Sequence, residues 1–94
     1  MSAVVYTIYG FDGCGYYEAA LNILRGLAAT KKIKLRTLSV PKEKWQSTLK
    51  NVHKNHKLGE VSKEKVAKHF TSPLIIRGNT YIGGHDNLRA YLGL

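Results

Sequence analysis

Residues 4–17 read VVYTIYGFDGCGYY, and they carry the clearest structural pattern in the chain. The first six are all β-branched or aromatic, which is typical of a strand covered on both faces. Gly-Phe-Asp-Gly at 10–13 predicts the end of this strand, because glycine and aspartate favour turns. Apolar residues then recur at helical spacing: Tyr17, Leu21, Leu24 and Ala28. The stretch therefore predicts a strand, a turn and a helix ending near Ala29, with Cys14 where the helix begins.

The rest of the chain predicts further strands and helices. In chain order they are a strand at 33–38, a helix after Pro41, a short helix from Ser62 to His69, a hairpin at 73–82 and a helix after Gly84. Trp45 and Leu49 are expected to face the core from the second helix. Val61, Val66 and Phe70 are expected to do so from the third. The order β-α-β-α-α-β-β-α predicts an α/β fold, a four-stranded mixed sheet with helices on both faces.

Length and composition limit the class of protein. Ninety-four residues fit a single domain, predicted to span residues 1–94. Hydrophobic residues make up 44% and charged residues 22%, as in a globular domain rather than a disordered chain. No apolar run approaches the roughly 18–20 residues of a membrane span, and Met1-Ser2-Ala3 does not begin like a signal peptide. We therefore expect a cytoplasmic protein with no membrane partner.

The net charge of +9 is unevenly distributed. Eight lysines and three glutamates lie within residues 42–68, where Trp45 is the only aromatic residue. Single-stranded nucleic acids bind to platforms of several aromatic side chains between cations, and this segment lacks them. A nucleic-acid partner is therefore not expected, and the segment is interpreted as a solvated helical surface. His53 and His56 in the same segment have no third ligand at metal spacing, so no metal site is predicted.

Cys14 is the only cysteine of the chain, which excludes an internal disulfide. At the start of the predicted helix its sulfur meets unpaired backbone N–H groups and the positive end of the helix dipole. Both stabilise the thiolate, which is the nucleophilic form of cysteine. A lone cysteine in a small chain is otherwise commonly a half-buried apolar residue. The position of Cys14 favours the reactive thiolate.

Two further motifs each allow two interpretations. In Thr71-Ser72-Pro73, the proline either begins an edge strand with a trans peptide bond or forms a cis turn that brings the Ser72 backbone to the thiol. The sequence Gly-Gly-His-Asp at 83–86 is either a flexible turn with a helix cap or an anion site built from backbone N–H groups. Taken singly, each motif is explained by the simpler structural interpretation.

Taken together, the three motifs resemble those of a glutaredoxin. They are Cys-Gly-Tyr-Tyr at 14–17, Thr-Ser-Pro at 71–73 and Tyr-Ile-Gly-Gly-His-Asp at 81–86, and their order and spacing span the chain from Val4 to Leu92. The resemblance implies a thioredoxin-like fold. It also implies a thiol–disulfide oxidoreductase with glutathione as co-substrate, glutathionylated proteins as partners, and a monomeric state.

The resemblance also implies a role for each matching residue. Cys14 is the implied nucleophile, and Tyr16 is the aromatic residue that flanks the thiol. The Ser72 backbone, beside a cis Pro73, is implied to pair with the cysteinyl part of glutathione. The residues implied to hold its γ-glutamyl end are Gly84, His85 and Asp86.

This chain departs from the glutaredoxin pattern at two positions. Tyr17 stands where dithiol members have the resolving cysteine, which implies a monothiol reaction. Phe11 stands where the family usually has a lysine three residues before the nucleophile, so one cation near the thiolate is missing. If the chain compensates, we expect the cation to come from residues 42–68 or from Arg77.

The predicted function is therefore glutathione-dependent reduction of mixed disulfides by a single cysteine. Two alternatives remain open. In one, a dimer holds an iron–sulfur cluster between two Cys14 thiolates and two glutathiones. In the other, the protein is a catalytically weak adaptor of thioredoxin-like fold whose basic face binds an acidic partner or a nucleic acid.

Overall fold

The computed structural model describes residues 4–30 and 32–94; the N-terminal residues cited for a cytoplasmic location lie outside this description. Four strands and four helices follow one another in the predicted order. They are β1 (Val4–Phe11), α1 (Gly15–Ala29), β2 (Ile33–Val40), α2 (Trp45–Asn51), α3 (Glu60–Lys68), β3 (Leu74–Arg77), β4 (Thr80–Gly83) and α4 (His85–Leu92). Single 3₁₀ turns, Lys42–Lys44 and Val52–Lys54, flank α2.

The strands form one mixed sheet in the order β2-β1-β3-β4. β1 is parallel to β2 and antiparallel to β3, and β3 and β4 form an antiparallel hairpin. The hairpin turn places Gly78 at a φ of 61°, a conformation that glycine adopts without a steric cost. The prediction of an α/β fold with a four-stranded mixed sheet flanked by helices is confirmed.

Each face of the sheet carries its own apolar core. On one face, α1 and α4 pack through Leu21, Leu24 and Leu88 against Ile8 and Ile75. On the other face, the helices of residues 45–68 pack on the central strands, and the buried residues there are Tyr9, Trp45, Leu49, Val52, Val66, Leu74 and Ile76. The central strands β1 and β3 are therefore covered on both faces, as the β-branched run at 4–9 predicts. Within the described residues, no helix is long and apolar enough to cross a membrane.

Three details differ from the sequence predictions. β1 does not end before Gly10 but continues to Phe11, because Gly10 and Phe11 still pair with Ser39 and Val40 of β2. Val61 and Phe70 are not core residues, since their exposed fractions are 66% and 71%. Only Val66 of that predicted set is buried, because the short α3 turns one narrow stripe toward the sheet and Phe70 lies beyond its last residue, Lys68.

Candidate active site at the first strand–helix junction

Cys14 is the N-cap residue of α1, in extended conformation. Its N–H donates to the carbonyl oxygen of Phe11 at 3.3 Å, and its own carbonyl accepts from the N–H of Glu18 at 3.1 Å. The thiol is partly exposed, and its Sγ lies 3.7 Å from the carbonyl oxygen of Ser72. The end of β1 and the first turn of α1 therefore hold the sulfur at the surface, facing the loop before β3.

That loop contains the cis peptide bond between Ser72 and Pro73, as the resemblance implied. The Ser72 hydroxyl accepts a hydrogen bond from the N–H of Phe11 at 3.3 Å, which ties the loop to the last residue of β1. Pro73 itself is buried. Ser72 thus holds the loop in place through two groups: its carbonyl oxygen contacts the thiol of Cys14, and its hydroxyl contacts the backbone of Phe11.

His69 also holds this loop, and the sequence analysis did not single it out. Its Nε2 lies 2.7 Å from the carbonyl oxygen of Thr71 and 3.1 Å from that of Pro73. Its Nδ1 lies 2.8 Å from the hydroxyl of Tyr81. Carbonyl oxygens only accept, so Nε2 carries the proton and Nδ1 accepts from Tyr81. Burial lowers the pKa of His69, which favours this neutral form.

A groove of about 230 Å³ lies beside the thiol and the cis-proline loop. Its walls are formed by Tyr16, Thr71, Ser72, Gly84, His85, Asp86 and Asn87. The structure therefore brings five of the six predicted substrate-binding residues to one place, and Pro73 lies buried beside them. That these residues bind glutathione stays a prediction.

The two sides of the groove differ in character. The Tyr16 ring has an exposed fraction of 65%, and its centroid lies 5.7 Å from that of His85. At the start of α4, the Asn87 side chain accepts from the N–H of Gly84 at 3.0 Å, while Nδ1 of His85 lies 3.0 Å from a carboxylate oxygen of Asp86. The groove therefore offers an aromatic face on one side and polar groups at a helix N-terminus on the other.

Tyr17 does not enter this groove. Its exposed fraction is 4%, and it packs into the core beneath α1. A Cβ atom at Gly10 would lie 2.0 Å from Cδ1 of Tyr17, so the ring occupies the space that the glycine leaves. The tyrosine at the position of a resolving cysteine is thus a structural residue.

A cation does lie near the position of the missing lysine. Nζ of Lys42, in the turn before α2, lies 5.6 Å from the centroid of the Phe11 ring. Arg77, the other predicted source, is at the opposite end of β3 and lies over Tyr91. Of the two predicted sources, the basic segment at 42–68 is therefore the one that reaches the side chain of Phe11.

The histidine pair at 53 and 56 does not form a shared ligand set. The hydroxyl of Tyr9 lies 2.7 Å from Nε2 of His56, so this imidazole is engaged in the core, whereas His53 is exposed. Burial lowers the pKa of His56. Across residues 4–30 and 32–94, no group of three or more His, Cys, Asp or Glu side chains is arranged to hold a metal ion.

Comparison with known proteins places the fold. No protein-family model matches the chain, and no curated protein sequence matches it either. Among 11 matching chains of solved structures is the crystal structure of glutaredoxin 1 from Francisella tularensis complexed with cacodylate. It shares 18% sequence identity with this protein at a TM-score of 0.60, and the match covers 97% of this chain and 94% of that one.

At that identity the likeness establishes the architecture alone. The protein has a thioredoxin-like fold, as the resemblance implied. The match extends over almost the whole of both chains, so the sheet and its helices correspond as one unit.

Proposed function

We propose that this protein is a glutathione-dependent thiol–disulfide oxidoreductase that uses Cys14 as its single nucleophile. The observation that carries the proposal is the position of the thiol, which is partly exposed at the start of α1 and 3.7 Å from the carbonyl oxygen of Ser72 beside a cis proline. A buried structural cysteine would not need this exposure, nor a groove of polar groups beside it.

The reaction proceeds in two thiol–disulfide exchanges. The Cys14 thiolate attacks the glutathionyl sulfur of a mixed disulfide, forms a Cys14–glutathione disulfide and releases the substrate thiolate, which takes up a proton. A second glutathione, as thiolate, then attacks the glutathione sulfur of this disulfide. The products are oxidised glutathione and the regenerated Cys14 thiolate. No second cysteine of the chain takes part, because it has none.

The groove supports glutathione as the ligand. Glutathione is an extended anion with a carboxylate at each end. Backbone N–H groups at the start of α4 suit the carboxylate of the γ-glutamyl end, because a helix N-terminus favours negative charge. The Ser72 backbone next to the thiol suits the peptide groups of the cysteinyl residue. In this arrangement Lys42 supplies the cation for the glycyl carboxylate, since its ammonium group lies over the ring of Phe11, the residue that stands in place of the family's lysine.

The test is formation of the covalent intermediate. After treatment with oxidised glutathione, the wild-type protein is expected to gain about 305 Da, the mass of one glutathionyl group less a hydrogen, and to lose it on addition of reduced glutathione. Cys14→Ser is the control, since it keeps the fold and has no thiol. In parallel, the wild type should turn over a small glutathione mixed disulfide and Cys14→Ser should not.

Two results would contradict the proposal. One is a wild-type protein that gains no glutathionyl mass although its thiol reacts with a small alkylating reagent. The other is a Cys14→Ser variant that is as active as the wild type.

A further inference from the structure

A depression of the surface lies away from the thiol, between α2 and α3. We call it the α2–α3 groove; its volume is about 440 Å³. Apolar side chains form its floor and one end: Leu49, Val66, Ala67 and Phe70. Basic side chains form much of its rim: Lys50, His53, Lys63 and Lys68. An apolar floor inside a basic rim is suited to a ligand that combines apolar side chains with negative charge.

Phe70 is an exposed aromatic residue on a fixed backbone. Its exposed fraction is 71%, yet its carbonyl oxygen accepts a hydrogen bond from Nε1 of the buried Trp45 at 3.2 Å. The neighbouring residue His69 is also fixed, because its side chain is hydrogen-bonded to the carbonyl oxygens of Thr71 and Pro73. The Phe70 ring is thus exposed to solvent, while the backbone that carries it is held in place by hydrogen bonds. Aromatic side chains held in this way are typical energetic centres of protein interfaces.

The charges of the groove are largely uncompensated within the protein. In the described part of the chain, one of its lysines, Lys68, pairs with a carboxylate, that of Glu64 at 3.7 Å. Lys50 and Lys63, one on each wall, form no such pair within the same residues. Their positive potential attracts an acidic partner and raises its rate of encounter.

Shared lining residues link the groove to the candidate active site through a second depression. His69 and Phe70 line both this groove and a second depression of about 370 Å³, which Thr71 also lines. Thr71 in turn lines the groove beside Cys14. A peptide whose attached glutathione occupies the groove beside Cys14 can leave that groove at Thr71 and extend past Phe70 into the α2–α3 groove.

From these observations we infer that the α2–α3 groove binds an acidic segment of the protein substrate, with an apolar side chain of that segment against Phe70. The identification of the occupant as a substrate rests on the proposed function, whereas the groove and its charge do not. The substrate class that follows is glutathionylated proteins with acidic, partly apolar sequence near the modified cysteine.

The primary test is a binding measurement that requires no redox chemistry. A fluorescein-labelled peptide of alternating glutamate and glycine with a central leucine is titrated with the Cys14→Ser protein, and its fluorescence anisotropy is recorded. Phe70→Ala, and separately the pair Lys50→Gln/Lys63→Gln, should each weaken binding about tenfold. The matched control is Lys34→Gln/Lys54→Gln, which removes the same charge at exposed positions outside the groove and should change the affinity less than about twofold.

Several results would overturn the inference. If the control pair weakens binding equally, the binding depends on net charge and not on the groove. If a peptide with glutamine in place of glutamate binds with equal affinity, the lysines of the groove do not select an acidic partner. Tighter binding of a single-stranded oligonucleotide through the same residues would make the partner a nucleic acid.

A kinetic measurement separates this inference from the proposed function. With the protein retaining Cys14, the Lys50→Gln/Lys63→Gln pair should lower kcat/KM about tenfold for a glutathionylated version of the acidic peptide. It should leave kcat/KM for a small glutathione mixed disulfide unchanged. A protein that turns over neither substrate but binds the peptide through Phe70 would refute the redox function and support the docking surface. Equal loss with both substrates would refute the docking surface and support the redox function.

Discussion

Tyr17 stands where the resemblance to glutaredoxins implies a resolving cysteine. It lies one helical turn after Cys14, and the two side chains belong to the same apolar cluster beneath α1. Tyr17→Cys is expected to give a disulfide between Cys14 and the new thiol on mild oxidation, detected as the loss of both free thiols. Exchange of a buried aromatic ring for a small side chain should also lower the free energy of unfolding of the reduced variant by about 2–4 kcal/mol. Two free thiols after oxidation would show that position 17 does not correspond to a resolving cysteine.

Gly10 provides the companion variant for this position. Gly10→Ala forces a Cβ atom into the ring of Tyr17, so it should destabilise the wild-type protein strongly. In the Tyr17→Cys background the ring is gone, and the same change should cost much less. Denaturant unfolding of the four proteins measures this coupling, and additive effects would mean that the two residues do not share this space.

His69 links the stability of the protein to pH. Because burial lowers its pKa below the usual 6.5, the native protein binds fewer protons at this residue than the unfolded chain does. The stabilisation is complete above 6.5 and decreases as the pH falls from 6.5 to the pKa of the folded state. His69→Phe should therefore flatten the dependence of the free energy of unfolding on pH in this window, which denaturant titrations at several pH values measure.

The same variant has an effect at neutral pH. His69→Phe leaves the Tyr81 hydroxyl and two loop carbonyls without their partner, which should cost about 1–3 kcal/mol and raise KM for a glutathione mixed disulfide more than it lowers kcat. His53→Gln, at an exposed position, is the control. An unchanged pH profile in His69→Phe would place the slope elsewhere, for example at His56, whose pKa is also lowered by burial.

At the scale of single elements, the turn before α2 carries the cation of the proposed site. Lys42→Gln should lower kcat/KM for a small glutathione mixed disulfide about three- to tenfold, since a charge-assisted contact to a carboxylate is lost. Lys44→Gln, on the same turn, is the matched control and should have little effect. Equal rates for Lys42→Gln and the wild type would mean that no cation replaces the lysine that Phe11 displaces.

The succession of elements was predictable because it depends on local patterns. The β-branched run of β1 and the helical spacing after Cys14 predict a strand and a helix without knowledge of the tertiary fold. The orientation of short elements was not. α3 has only nine residues and buries only Val66, and apolar character alone assigned Val61 of this helix and Phe70 beyond its end to the core.

The site was predictable only in part, because its geometry depends on the order of the strands. Cys14 and Ser72 are 58 positions apart and meet because β1 and β3 are neighbours in the sheet. Only the resemblance to glutaredoxins implied that Ser72 lies beside the thiol and that the Ser72–Pro73 peptide bond is cis. The role of His69 depends on a contact with Tyr81 across the hairpin, which no local pattern encodes. The fit between Gly10 and Tyr17 is likewise visible only in three dimensions.

For the molecule as a whole, two groups of the positive charges that make up the net charge of +9 have different expected effects. Lys42 lies over the Phe11 ring, and in the proposed site it acts on any glutathione disulfide. The lysines of the α2–α3 groove are expected to attract the acidic segment of a protein substrate that extends past Phe70. Both act on an approaching anion through a field that salt screens.

The rate should therefore fall with ionic strength, to an extent that depends on the substrate. Between 0.01 M and 0.15 M salt the Debye length shrinks from roughly 30 Å to roughly 8 Å, so attraction from distant lysines is lost and that of nearby ones remains. We expect kcat/KM to fall moderately for a small glutathione mixed disulfide and more steeply for a glutathionylated acidic peptide. The Lys50→Gln/Lys63→Gln pair should reduce the steeper dependence to the moderate one, because it removes charge from the groove that only the peptide reaches. Rates that ignore salt for both substrates would mean that the positive charge of this protein serves something other than this reaction.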